Sequence, residues 1–256
     1  MTQKEVNISV NLDVTNPGQF FACCGLLELA HRFWLGAEGW FEKGHFRLRA
    51  EVGEKGSLAD MLTSLVRSEV RAGGNSTVSP KTEPFEVGPP ISMRLDWWLR
   101  DDGTPNLLKT WAANATARQM FSKWRDPFEK NIENFIDAPE NMLGVSERIQ
   151  GSYGFDSDVG WDALNVGFSL NEHAGLKELP THPAVELLGA IGLQRCFPIL
   201  NEREQVVQYA TWHIPLGAPV VRIAAIGGLP AVTIHRLYAR FVYRGSFKGL
   251  DTATIV

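Results

Sequence analysis

The chain has 256 residues, 44% of them hydrophobic and 21% charged, which is material for one large domain or two small ones and excludes a disordered or fibrous sequence. A net charge of −4 does not announce a general polyanion binder, and three cysteines, two of them adjacent at Cys23 and Cys24, exclude a disulfide framework. No basic-then-apolar leader opens the sequence and no apolar run is long enough to cross a bilayer, so a cytoplasmic protein with no membrane partner is expected.

Val6, Ile8, Val10, Leu12 and Val14 alternate with polar residues and predict a half-buried strand. Asn16 then offers a helix cap, Pro17 suits the first helical position, and Gln19 stands three after the cap. The helix from Pro17 to Trp34 is apolar almost all round, which predicts burial on every side, and Gly36 is a plausible stop. Phe46, Leu48 and Ala50 alternate with Arg47 and Arg49 in a second strand. The unit reads strand, buried helix, strand.

Residues 56–71 carry Leu58, Met61, Leu62, Leu65 and Val66 at helical spacing, and Gly73-Gly74 ends the run. Four prolines between 80 and 90 predict an irregular crossing. Ile91 to Leu99 predicts a strand with Met93, Leu95 and Trp97 on one side. Pro105 opens a helix expected to reach about Arg125, with Pro127 beyond it. His182-Pro183 leads into a helix at Ala184–Arg195, Tyr209 to Leu216 predicts a strand, and Ala218–Ile226 fits a helix or a strand equally. Ile234 to Lys248 is the clearest late strand.

Charge is unevenly spread. Ten acids between Glu129 and Glu178 face only Lys130, Arg148 and Lys177, while after Gly192 seven cations face three acids. Such asymmetry predicts different partners for different faces. With no linker visible, the expectation is α+β: residues 1–256 as one compact domain, with a long, irregular acidic excursion over about 129–180.

The run TNPGQFFACCGLLELAHRFW, with GWFEKGHFRLRA after it, resembles the N-terminus of the small Csb-type proteins of type I-U (renamed I-G) CRISPR–Cas systems. RLDWWL at Arg94–Leu99, LKTWA at Leu108–Ala112, NVGFS at Asn165–Ser169, AIGLQR and YATWHIPL follow in order. The resemblance spans nearly the whole chain. It implies a non-catalytic, large-subunit-like component of a Cascade-type effector complex active in antiviral defence. The implied partners are backbone and cap subunits, crRNA, target DNA and a recruited helicase–nuclease. The implied task is help with recognition of the protospacer-adjacent motif (PAM) and duplex opening, and a ferredoxin-like core is left open. The alternative is a purely structural assembly subunit that touches no nucleic acid.

The sharpest candidate site is the C-terminal strand. Arg236, Tyr238, Arg240, Val242 and Arg244 share one face, and Lys248 is read as continuing it past Gly245, while Leu237, Ala239, Phe241 and Tyr243 share the other. A basic face with an aromatic between charges suits phosphates and a stacked base; the plain alternative is a strand face kept soluble by arginine. Arg47 and Arg49 form a smaller version that would merge with it if both strands belong to one sheet. Lys109, Arg118, Lys123 and Arg125 form a third basic set. Trp97 and Trp98 cannot point the same way on a strand, so one is expected buried and the other exposed or at a partner interface; the plain alternative is a loop cap over the core.

Enzyme chemistry finds no footing. Cys23 and Cys24 lie in an apolar helix where thiols are inert, the histidines lack zinc-ligand spacing, and no nucleotide loop or nucleophile elbow occurs. Asp156-Ser157-Asp158 with Asp162 has the look of a calcium loop, but Gly160 and Trp161 break the pattern. No His–Asp pairing is visible. The expectation is no catalysis, no cofactor and no metal.

Overall fold

The computed structural model describes residues 4–52, 56–74, 79–111, 115–149, 151–159, 179–244 and 247–256. Strand β1 (Lys4–Asn11) leads to helix α1 (Pro17–Phe33), then β2 (Glu38–Glu42) and β3 (His45–Val52). Asn16 Oδ1 accepts from the backbone of Gly18 at 3.0 Å and Gln19 at 3.3 Å, the cap that starts α1. Lys43 and Gly44 both take positive φ, 50° and 79°, and close the β2–β3 hairpin tightly. Strand β3 lies antiparallel between β1 and β2, so the two strands joined by α1 run parallel to each other. Strand β2 was not anticipated: Gly39 interrupts its short apolar pattern.

Helix α2 (Leu58–Arg67), capped by Ser57, is followed by β4 (Val70–Ala72), β5 (Phe85–Val87) and β6 (Met93–Leu95), a three-stranded antiparallel sheet. The proline-rich crossing therefore contains a strand, at a stretch that Pro84 precedes and Gly88 ends. The helix expected from Pro105 starts only at Ala117: α3 spans Ala117–Lys130. Asn106 holds the earlier residues in turns, donating to Trp97 O at 2.7 Å and accepting from Leu108 N at 2.8 Å, while Thr116 and Gln119 form the capping box that sets the real start. Pro127 lies inside α3, not beyond it.

The acidic segment begins in order. Helix α4 (Ile132–Asp137) and a 3₁₀ turn at Pro139–Gly144 bury Ile132, Phe135, Met142 and Leu143. Strand β7 (Glu147–Ile149) pairs with β8 (Leu179–Thr181). Much of the stretch expected to be an irregular excursion is therefore regular, because its apolar residues pack inward; residues 160–178 of it lie outside the described residues.

Helix α5 (Pro183–Arg195) packs along α1. The two approach so closely that a Cβ on Gly25 would meet Leu188 O at 1.9 Å and one on Gly192 would meet Phe21 O at 1.8 Å. Both helices are buried around almost their whole circumference, Cys23 and Cys24 included. Strands β9 (Ile199–Asn201) and β10 (Val206–Trp212) lead to the short β11 (Leu216–Gly217), which joins the edge of β2. Helix α6 (Ala218–Ala225) settles the open reading of that segment. Strand β12 (Thr233–Arg244) pairs with β10 on one side and with β13 (Phe247–Leu250) and β14 (Thr254–Ile255) on the other. The whole is a mixed α+β architecture of several antiparallel sheets and helices, not a closed barrel. Among the described residues no helix is long and apolar enough to cross a membrane.

Candidate nucleic-acid interface

Strand β12 sorts its side chains cleanly. Leu237, Ala239 and Phe241 are buried; Arg236 and Arg240 are exposed, with Tyr238 partly exposed between them. Same-face neighbours on a strand stand roughly 6–7 Å apart. Across the ladder Arg236 sits opposite Ala210, Tyr238 opposite Gln208 and Arg240 opposite Val206, so no acid faces either arginine on β10. Arg236 is braced, its Nη2 donating to Gly227 O at 2.9 Å, and Gly227 has φ 72° after α6. A Cβ on Gly227 would lie 2.6 Å from Arg236 Nη1, so the absent side chain makes room for the guanidinium. The Arg240 side chain makes no hydrogen bond or ion pair among the described residues. It borders a groove of about 370 Å³ lined also by Tyr238, Glu204, Asp251 and Thr252. Arg244 ends β12 opposite Phe247; its side chain lies outside the described residues.

Lys248 does not continue this face. The chain turns back after Arg244, and Lys248 pairs with Tyr243, whose face holds Phe241. Its Nζ stands 5.4 Å from the Phe241 ring centre, on the side opposite Arg240. A run read as one strand is a hairpin, and the reversal changes the face.

Arg47 and Arg49 belong to the β1–β3–β2–β11 sheet, not to the β12 sheet, so the two basic faces do not merge. Their charges are already matched: Arg47 pairs with Glu42 at 3.4 Å and Arg49 with Glu38 at 2.6 Å, partners supplied by the unanticipated strand β2. Trp97 and Trp98 are both buried, 4% and 1% exposed. They lie in the turn after β6, where strand alternation no longer applies, and pack edge-on to each other and to Trp111. Neither offers an exposed ring for a partner.

The third basic set divides. Arg118 is exposed. Arg125 donates to Val66 O and, at 2.7 Å, to Ser68 O, tying α3 to the end of α2. Lys109 precedes the helix and lies over the Trp111 ring. Lys123 is partly buried beside Trp124.

Two polar networks escaped sequence reasoning because their members are far apart in the chain. Buried Glu28 on α1 receives Arg32 one turn on at 2.8 Å and Arg195 from α5 at 2.5 Å. The second lies where α1 and α5 begin, and it supplies the His–Asp pair that the sequence did not show. His182 Nδ1 is 2.6 Å from Asp156 Oδ2, and Asp156 also accepts from Asn16 Nδ2 at 2.7 Å. Burial alone would lower the His182 pKa; the Asp156 hydrogen bond and the charges of Asp156, Asp158 and Glu186 outweigh it and raise it. Glu186, in the first turn of α5, is buried and accepts from Ser152 Oγ and, at 2.7 Å, from Tyr153 N. Desolvation dominates and pushes its carboxyl up to about 8. The arrangement staples residues 152–158 across both helix starts. Among the described residues no group of three or more His, Cys, Asp or Glu is placed to hold a metal ion.

Chemically, the β12 face offers two outward guanidiniums for phosphate oxygens and a phenol ring between them for a base. No protein-family model, no curated protein and no solved structure matches the chain.

Proposed function

We propose that this protein is a non-catalytic subunit of a type I-G CRISPR interference complex that contacts guide RNA or target DNA through the outer face of β12. The supporting observation is the pair of exposed arginines bracketing Tyr238, with the Arg240 side chain making no ion pair among the described residues beside a groove that Glu204 and Asp251 also line. The ordered sequence resemblance supplies the setting. In such complexes base pairing reads sequence, while protein contacts hold the backbone and a short flanking motif. We read β1, α1, β3 and β2, with α5 beside α1, as half of a ferredoxin-like core.

The test is reconstitution with the neighbouring backbone and cap subunits and guide RNA. The proposal expects wild-type and Arg240→Glu proteins to assemble alike, with target-duplex binding weakened at least about tenfold in the variant, since a charge reversal at one phosphate contact costs about 1.4 kcal/mol or more. Unchanged duplex binding by the variant complex favours the assembly subunit without nucleic-acid contact.

A further inference from the structure

We propose that the groove beside Arg240 reads one unpaired guanine, with Glu204 accepting from the base, Tyr238 stacking on it and Arg240 holding its phosphate. The inference rests on the nucleic-acid reading of β12 and adds a base preference to it. Tyr238 and Arg240 form the floor of the groove. The turn between β9 and β10 supplies one wall, with Glu204 and Val206, and the chain from Asp251 to Thr254 supplies the other. Backbone bonds pin both walls to the strand. Phe241 N donates to Gln205 O at 2.9 Å on one side, Asp251 N donates to Arg240 O at 2.9 Å on the other, and Thr254 pairs with Tyr238. Gln205 Nε2 donates to Glu202 O at 2.6 Å and closes the turn around Glu204. The volume of about 370 Å³ is near the lower end of ligand pockets and suits a single base rather than a longer segment.

The chemistry of the groove is mixed and unspent. One guanidinium and two carboxylates line it, yet none of the three pairs with another among the described residues. Asp251 Oδ1 accepts from Thr252 N at 2.8 Å, whereas the Glu204 side chain makes no hydrogen bond or ion pair among the described residues. A phosphodiester by itself offers only acceptors, which suit Arg240 and are repelled by the carboxylates. The fitting ligand therefore brings hydrogen-bond donors and a flat face together with its anion, and a nucleotide has all three. Among the bases, guanine alone sets two donors side by side, N1–H and N2–H, to match the two oxygens of one carboxylate. Adenine and cytosine place an acceptor nitrogen beside the amino group. Thymine and uracil flank a single N–H with two carbonyls, so each of these bases turns an acceptor toward a carboxylate oxygen. Duplex pairing occupies the guanine donors, which restricts the groove to an unpaired base.

Fluorescence anisotropy with the full chain and labelled single-stranded hexamers tests this. Each hexamer is thymidine except at one central position, which carries guanine, adenine, cytosine or thymine. The guanine hexamer should bind at least about fivefold tighter than each of the others. Glu204→Gln, at an exposed turn position, should bring that ratio close to one without weakening the all-thymine hexamer, because it removes a negative charge near the phosphates. Arg240→Ala should weaken all four hexamers alike and keep the ratio. Arg240-dependent binding with no guanine preference, or a preference that survives Glu204→Gln, overturns this inference and leaves the β12 nucleic-acid contact standing. Binding that Arg240→Ala does not alter counts against both. A chain that binds no hexamer also overturns the inference, and duplex binding by the assembled complex then judges the β12 contact separately.

Discussion

Glu186 shows how one side chain can set a pH response for the whole fold. It is fully enclosed at the start of α5, close to Asp156, His182 and Tyr153, and its carboxyl titrates near 8 where an unfolded chain would titrate near 4.5. Between those values the folded state holds a proton that the unfolded state releases, so stability falls as pH rises. His182 acts in the same direction: its raised pKa stabilises the fold below the unfolded value of 6.5 and that contribution is lost as pH climbs through the folded value. Chemical denaturation from pH 5 to 9 should therefore show declining stability in the wild type. In Glu186→Gln the decline should be shallower, with a gain at pH 9 on the order of 3 kcal/mol, because the amide keeps an acceptor for Tyr153 N without a charge to bury. A variant as steep as the wild type would show that Glu186 ionises freely in the fold.

At the scale of elements, α1 and α5 meet backbone to backbone. Gly25 and Gly192 each face backbone of the other helix at distances no Cβ can occupy. Gly25→Ala or Gly192→Ala should cost about 2–4 kcal/mol, read as a lowered denaturation midpoint with an unchanged slope. Near-neutral alanine variants would mean that the helices can separate without loss. Much of this layer was legible: the Asn16-Pro17 start, the all-round apolar character of α1 and the alternation in β12 are local signals, each satisfied by near neighbours in sequence. What was not legible depended on distant residues. The hairpin after Arg244 moves Lys248 to the other face because the turn, not the strand pattern, decides direction. Strand β2 neutralises Arg47 and Arg49 because Glu38 and Glu42 arrive by pairing. Trp97 and Trp98 are both enclosed because the chain leaves β6 at Leu95 and bends, which periodicity cannot foresee. The His182–Asp156 pair joins residues from two separate segments, and no spacing rule would have found it.

For the whole molecule, the sheets divide the basic residues by role. The β1–β3–β2–β11 sheet carries arginines already paired with glutamates, so its face is electrostatically settled. The β12 sheet carries Arg236 and Arg240 with no carboxylate in ion-pair range among the described residues, and on its reverse the partly buried Lys248. Other exposed cations, such as Arg118 on α3 and Lys43 in the β2–β3 turn, lie outside this sheet; what sets β12 apart is two exposed arginines on one strand face with a tyrosine between them. The salt dependence of target-DNA binding by the assembled complex tests this most directly. Each phosphate contact removed should shallow the slope of log K against log salt by about one unit, equally for every target sequence. The account predicts that Arg236→Ala/Arg240→Ala shallows the slope by about two units and weakens all targets alike. A slope and affinity identical to wild type would contradict it.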